Sequence, residues 1–253
     1  MNVFGAFTFG SLIKTFLPGL VWLVAVISLE ADVSQLMEGT PRLWTYIRSH
    51  DQAALVLAIP ASILLGLLSN IIVFMGLNEW LVRRPFARDQ PGLFSLFTDL
   101  TTRIRTKYRD SLDITDTQME ESFDKYVDSE YLLLHQIGVQ EFAYVREQYW
   151  YHLEFQLNLL LSVTAFAVAL AVFINLNVPS LLLSSSLLFV CLVFAGLLVR
   201  LLLVAARKNY TRHIAKIVTL MAAVLGATSP QTSTAVRWLK PCVKGRRQCC
   251  TLP

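Results

Sequence analysis

The stretch from Ala53 to Leu77, AALVLAIPASILLGLLSNIIVFMGL, runs for 25 residues without a charge. About 20 apolar residues at ~1.5 Å rise cross the hydrocarbon core of a bilayer, so this run reads as a transmembrane helix. Two similar runs lie downstream. Leu157 to Leu176 is one, and Pro179 to Ala206 follows after only Asn177 and Val178. A link this short, with Pro179 just past it, predicts a turn and a new helix start, so the two runs form a helical hairpin.

The first candidate span is shorter. Thr15 to Leu29 is apolar, and Lys14 separates it from an upstream segment holding Phe4, Phe7 and Phe9. It reads as one helix entering near Leu12, with Lys14 snorkelling to the interface and Pro18–Gly19 as a place for a kink. A cleaved signal peptide fits less well, because the start has no basic region and no A-x-A site follows.

Composition agrees with the spans. The 253 residues are 55% hydrophobic and 16% charged, against about 45–50% and about 25% in an average soluble domain. The net charge of +4 is unevenly placed. Ten Lys or Arg and no acid lie from Arg200 onward, whereas Glu30, Asp32, Glu38 and Asp51 outnumber Arg42 and Arg48 between the first two spans. Arg83, Arg84 and Arg88 follow the second span, and Arg207, Lys208, Arg212 and Lys216 follow the fourth. Positive charge gathers on the cytoplasmic side, which predicts a multi-pass protein of the cell inner membrane with both termini cytoplasmic.

The expected class is therefore an all-α integral membrane protein with four transmembrane helices in two pairs. A first span lies within 1–29, an external loop at 30–52, and the second span at 53–77. A small helical cytoplasmic domain occupies 78–156 and leads into spans at 157–176 and 179–206. In that domain Thr117-x-x-Glu120 has capping-box form, and Phe123, Tyr126, Leu133, Leu134 and Ile137 recur at helical spacing, with Gly138 as a break. A cytoplasmic amphipathic helix at 207–227 carries Tyr210, Ile214, Ile217, Val218 and Met221 on one face, and packing on the helix from Thr117 is the preferred use of that face. Residues 228–253 read as a basic flexible tail.

Chemical signals are sparse. No acidic residue is expected inside any span, which counts against an ion-coupled carrier. Ser69, Asn70 and Asn175 line a water path or bond across helices. Arg200 faces a bundle interior or a pore, or snorkels as long side chains near span ends do. Arg103, Arg105, Lys107 and Arg109 make a basic patch for a partner, a ligand or anionic headgroups. His50, His135, His152 and His213 are isolated, and no catalytic motif or nucleotide-binding loop occurs, so neither a catalytic residue nor a cofactor is expected. Cys191 lies in an apolar run and Cys242, Cys249 and Cys250 in the tail, without metal-ligand spacing, so no metal is expected.

These features predict a homo-oligomeric channel-like protein or membrane-perturbing effector, such as the membrane component of a bacterial stress or defence response. Its partners are the lipid bilayer and a cytosolic protein, with no direct nucleic-acid contact. A scaffold without a pore is the second expectation and a small-solute transporter the third.

Overall fold

The computed structural model describes residues 9–37, 39–40, 42–111, 132–134 and 137–226. The expected helix from Thr117, with Phe123 and Tyr126, His135, and the tail with Cys242, Cys249 and Cys250 lie outside the described residues. The described chain is nearly all helical, and four of its helices are long and apolar enough to cross a membrane.

In chain order, α1 is Phe9–Leu36, α2 is Arg42–Ser49 and α3 is Asp51–Ile72. Two π-helical segments, Val73–Leu77 and Glu79–Arg83, carry α3 into α4, Arg84–Asp89. Then come α5, Pro91–Ser111, and α6, Val139–Val145, which passes through a third π segment, Arg146–Trp150, into α7, Tyr151–Asn177. The last helix, α8, is Leu181–Val224. The candidate spans are Lys14–Leu36, Gln52–Leu77, Phe142–Asn177 and Leu181–Val224.

The helices outrun the uncharged runs from which the spans are read. The helical backbone does not stop at a charge; it stops where caps or backbone geometry stop it. Residue 30 is inside α1, and the expected external loop also contains α2. The Leu43 N–H at the start of α2 donates to the Glu30 carboxylate at 3.4 Å, where an anion meets orphan N–H groups. The expected span at 179–206 and the amphipathic helix at 207–227 are a single helix of 44 residues. Its start is specified locally: Val178, held extended at φ −102° by the proline after it, ends α7, and the Ser180 hydroxyl accepts from the Leu183 N–H at 3.5 Å. Gly138, with φ +87°, ends the helical residues before α6, a backbone state that a side chain would strain.

Two compact units divide the chain. The first comprises Met1–Ser95 and Gln140–Lys216, and the second Leu96–Val139 and Ile217–Pro253. In the first, α1, α3 and α7 pack against one another as the core bundle. Gly19 lies against the Ser62 carbonyl and Gly66 against the Thr15 carbonyl, so an added Cβ would fall 1.6 Å and 2.0 Å from those oxygens. Thr15-x-x-x-Gly19 and Ser62-x-x-x-Gly66 thus form matched small-residue stripes, the device that lets membrane helices approach closely.

In the second unit, Leu100, Ile104, Leu132, Leu133, Ile217, Val218 and Met221 are buried. The Thr101 hydroxyl meets the Met221 sulfur at 3.9 Å, Lys107 Nζ donates to the Val224 carbonyl at 3.4 Å, and the Tyr108 hydroxyl donates to the Leu132 carbonyl at 3.1 Å. The apolar face past the fourth span is therefore covered by protein, with α5 as one partner.

Candidate functional site

Trp150, which ends the third π segment, and Glu154, Asn158 and Ser162 of α7 recur every four residues, so they share one side of an otherwise apolar helix. Glu154, Asn158 and Ser162 are buried. Glu154 is the centre. Its carboxylate forms an ion pair with Lys14 of α1 and accepts a hydrogen bond from Trp150 Nε1 at 2.8 Å. The Lys14 ammonium also lies 3.9 Å from the centroid of the Tyr151 ring, within cation–π range. The Trp150 ring contacts Phe74, in a π segment after α3, at 5.7 Å, and the buried His213 of α8 at 5.2 Å.

One turn further along α7, Asn158 joins α3. Its side chain accepts from the Ser69 hydroxyl at 3.2 Å and donates to Asn70 at 3.0 Å. The same end of the unit holds α8. Arg207 Nε donates to the Leu81 carbonyl at 2.9 Å. Pro85 is four residues on from Leu81 and has no N–H to give, so the guanidinium supplies the donor that the proline removes. Asn209 donates to Gln156 at 3.0 Å, and the Tyr210 ring meets Phe86 edge-on at 5.1 Å.

Depth follows from helix rise. Lys14 is about 24 Å along α1 from Glu30, Asn70 about 27 Å along α3 from Gln52, and Glu154 about 35 Å along α7 from Asn177. A ~30 Å hydrocarbon slab with one edge at Glu30, Gln52 and Asn177 therefore has its other edge at this polar cluster.

The expectation that spans hold no acid is true only of the uncharged runs. Asp32, inside α1 and 2% exposed, and Glu154, inside the third candidate span and 8% exposed, are both buried. Lys14, read as snorkelling, has a carboxylate partner. Sequence reading missed Glu154 because it precedes the uncharged run by three residues; the four-residue polar spacing along α7 was the available signal.

The expected site residues are not all brought together. Ser69 and Asn70 enter the polar cluster. Asn175 is exposed near the far end of α7, and Arg200 is exposed on α8. On α5, helical pitch puts Arg103 with Lys107 and Arg105 with Arg109, the two pairs on different sides of the helix. The four therefore do not make one patch. Arg103 pairs with Asp99 at 3.0 Å, and Lys107 with the α8 C-terminal carbonyl already described. Among the described residues no group of three His, Cys, Asp or Glu is placed to hold a metal ion.

The second feature of this unit is apolar. From Leu181 to Val204 most large side chains of α8 are exposed, and its most apolar window is 0% buried. Between this stretch, α1 and α7 lies a cleft of about 570 Å³ with no nitrogen or oxygen in its wall. No family model, curated protein or solved structure matches the chain.

Proposed function

We propose that the chain is one subunit of an oligomeric membrane channel or membrane-perturbing effector, in which copies of α8 meet around the path. The supporting observation is the uncovered face of α8. Ser186, Val193, Leu197, Arg200 and Val204 are all exposed and fall within about 60° of one another on the helix wheel. The face is polar at Ser186, apolar through Val193 and Leu197, and cationic at Arg200. Arranged around a ring, such faces make a path with a hydrophobic constriction and a cationic mouth, two recurring means of gating and selection. The reading places the protein in a bacterial inner membrane with both termini cytoplasmic, where a cytosolic partner acts on the helices of the soluble block.

Ion flux from liposomes containing the full chain tests this. Leu197→Ser is expected to raise flux by widening and wetting the constriction, and Arg200→Ala to change the preference between anions and cations. A monomeric protein that passes no ions in either form refutes the reading.

A coupled small-solute transporter is a second reading, favoured by one observation. Glu154 gives the helical bundle a buried carboxylate of the type such proteins use as an ion relay. Substrate uptake lost in Glu154→Gln, without loss of folded protein, distinguishes it from the channel.

A further inference from the structure

We infer that the cleft between α1, α7 and α8 is a binding site for a single alkyl chain, supplied by a phospholipid or by a free fatty acid. The inference is independent of any pore. Its walls come from three helices: Leu20 and Val24 on α1, Phe166 and Leu170 on α7, Phe194 and Leu198 on α8. The volume of about 570 Å³ lies inside the ~300–1,000 Å³ common for small-molecule sites. No nitrogen or oxygen lines it, so water finds only the weakly polar Cys191 thiol there. Every wall residue belongs to a helix apolar enough to cross a membrane, so the surrounding solvent is hydrocarbon.

Shape narrows the ligand further. The wall on α7 runs from Val163 to Leu170 and that on α8 from Val190 to Leu198, each about 10–12 Å along its helix. A chain segment lying parallel to the helices touches these walls along that whole length. Side walls of Phe166 and Phe194 supply the dense dispersion contacts that such a chain gains on leaving disordered lipid. The occupant then takes the place of direct side-chain contact between the membrane half of α8 and the bundle.

Cys191, half-buried in the α8 wall, is a native reporter. The experiment uses the full chain with Cys242, Cys249 and Cys250 changed to Ser, delipidated in a bile-salt detergent that has no linear tail. The rate of Cys191 alkylation by a hydrophobic maleimide is measured with and without added palmitate or phosphatidylcholine. At ten times the half-saturating ligand concentration the rate is expected to fall about tenfold, since only the ligand-free fraction reacts. Protection by both ligands means that the chain alone is recognised. Protection by one identifies it as the source. Ala167→Phe and Ala195→Phe, which fill the cleft, are expected to slow alkylation without lipid and to abolish the further effect of lipid. If neither ligand protects Cys191 in the otherwise native chain, the inference is wrong, whether or not the filled variants fold.

Discussion

Helices α1 and α3 approach until a backbone carbonyl occupies the space that a Cβ would need, whereas α8 leaves Leu181, Leu182, Phe189 and Phe194 largely uncovered. Hydrophobicity runs the opposite way. The α8 span has the highest mean hydropathy of the four, 2.9, with 0% of its window buried, and the α1 span has the lowest, 1.8, with 22% buried. Lipid tails are as apolar as leucine, so an apolar helix gains little by leaving them for another helix. Close approach between small residues and hydrogen bonds between polar ones decide which membrane helices pack. The bundle has both, at Gly19 and Gly66 and at Glu154 and Asn158. The membrane half of α8 has neither.

Substitutions on the two sides of this contrast should separate cleanly. The largest effect is expected at Gly19→Leu, where the first added carbon already overlaps the Ser62 carbonyl. Overpacking commonly costs about 1–3 kcal/mol and occasionally more, and backbone against backbone cannot relax, so a loss above about 3 kcal/mol is expected. Thermal unfolding in detergent measures it, and an unchanged midpoint would mean that α1 and α3 are not in contact.

Next comes Glu154→Leu, which leaves Lys14 without its carboxylate. Breaking a buried pair costs about 3–5 kcal/mol; with Lys14 partly exposed, about 2–3 kcal/mol is expected. The double variant Lys14→Met with Glu154→Leu should recover most of that loss, because the stranded charge is gone. Equal losses in single and double variants would show that Glu154 acts through Trp150 alone. The smallest effect is expected at Phe189→Ala on α8. Phe189 is 69% exposed, so the unfolding free energy of a monomer should change by less than about 0.5 kcal/mol. A large shift there would place another surface against α8 and dissolve the contrast.

The positions of the four membrane helices are legible in the residues, because uncharged runs such as Ala53 to Leu77 have no other use. Their ends are not. Glu154 and Asp32 look like loop acids when a span is defined by absence of charge, yet the helix continues through both, and Lys14 gives Glu154 a tertiary partner. The single helix α8 was divided at Arg207, because a basic cluster reads as an exit from the membrane and carries no instruction to end a helix. The matched stripes of Thr15 with Gly19 and Ser62 with Gly66 are short and common in composition, so their pairing becomes meaningful only in three dimensions. On α5 the alternate basic residues suggested one patch, and the 3.6-residue pitch separates them.

The ion pair of Lys14 with Glu154 joins residues 140 positions apart. During biosynthesis at about 5–20 residues per second, the lysine is made about 7–28 s before its partner. In a bilayer, the hairpin of α1 and α3 would spend that interval with an ammonium group that lacks its carboxylate, at the level of the lipid headgroups. A charge in that state would act on the sidedness of α1 as other juxtamembrane cations do. Once α7 is in place and its carboxylate arrives, the same group becomes a clasp between two distant parts of the polypeptide.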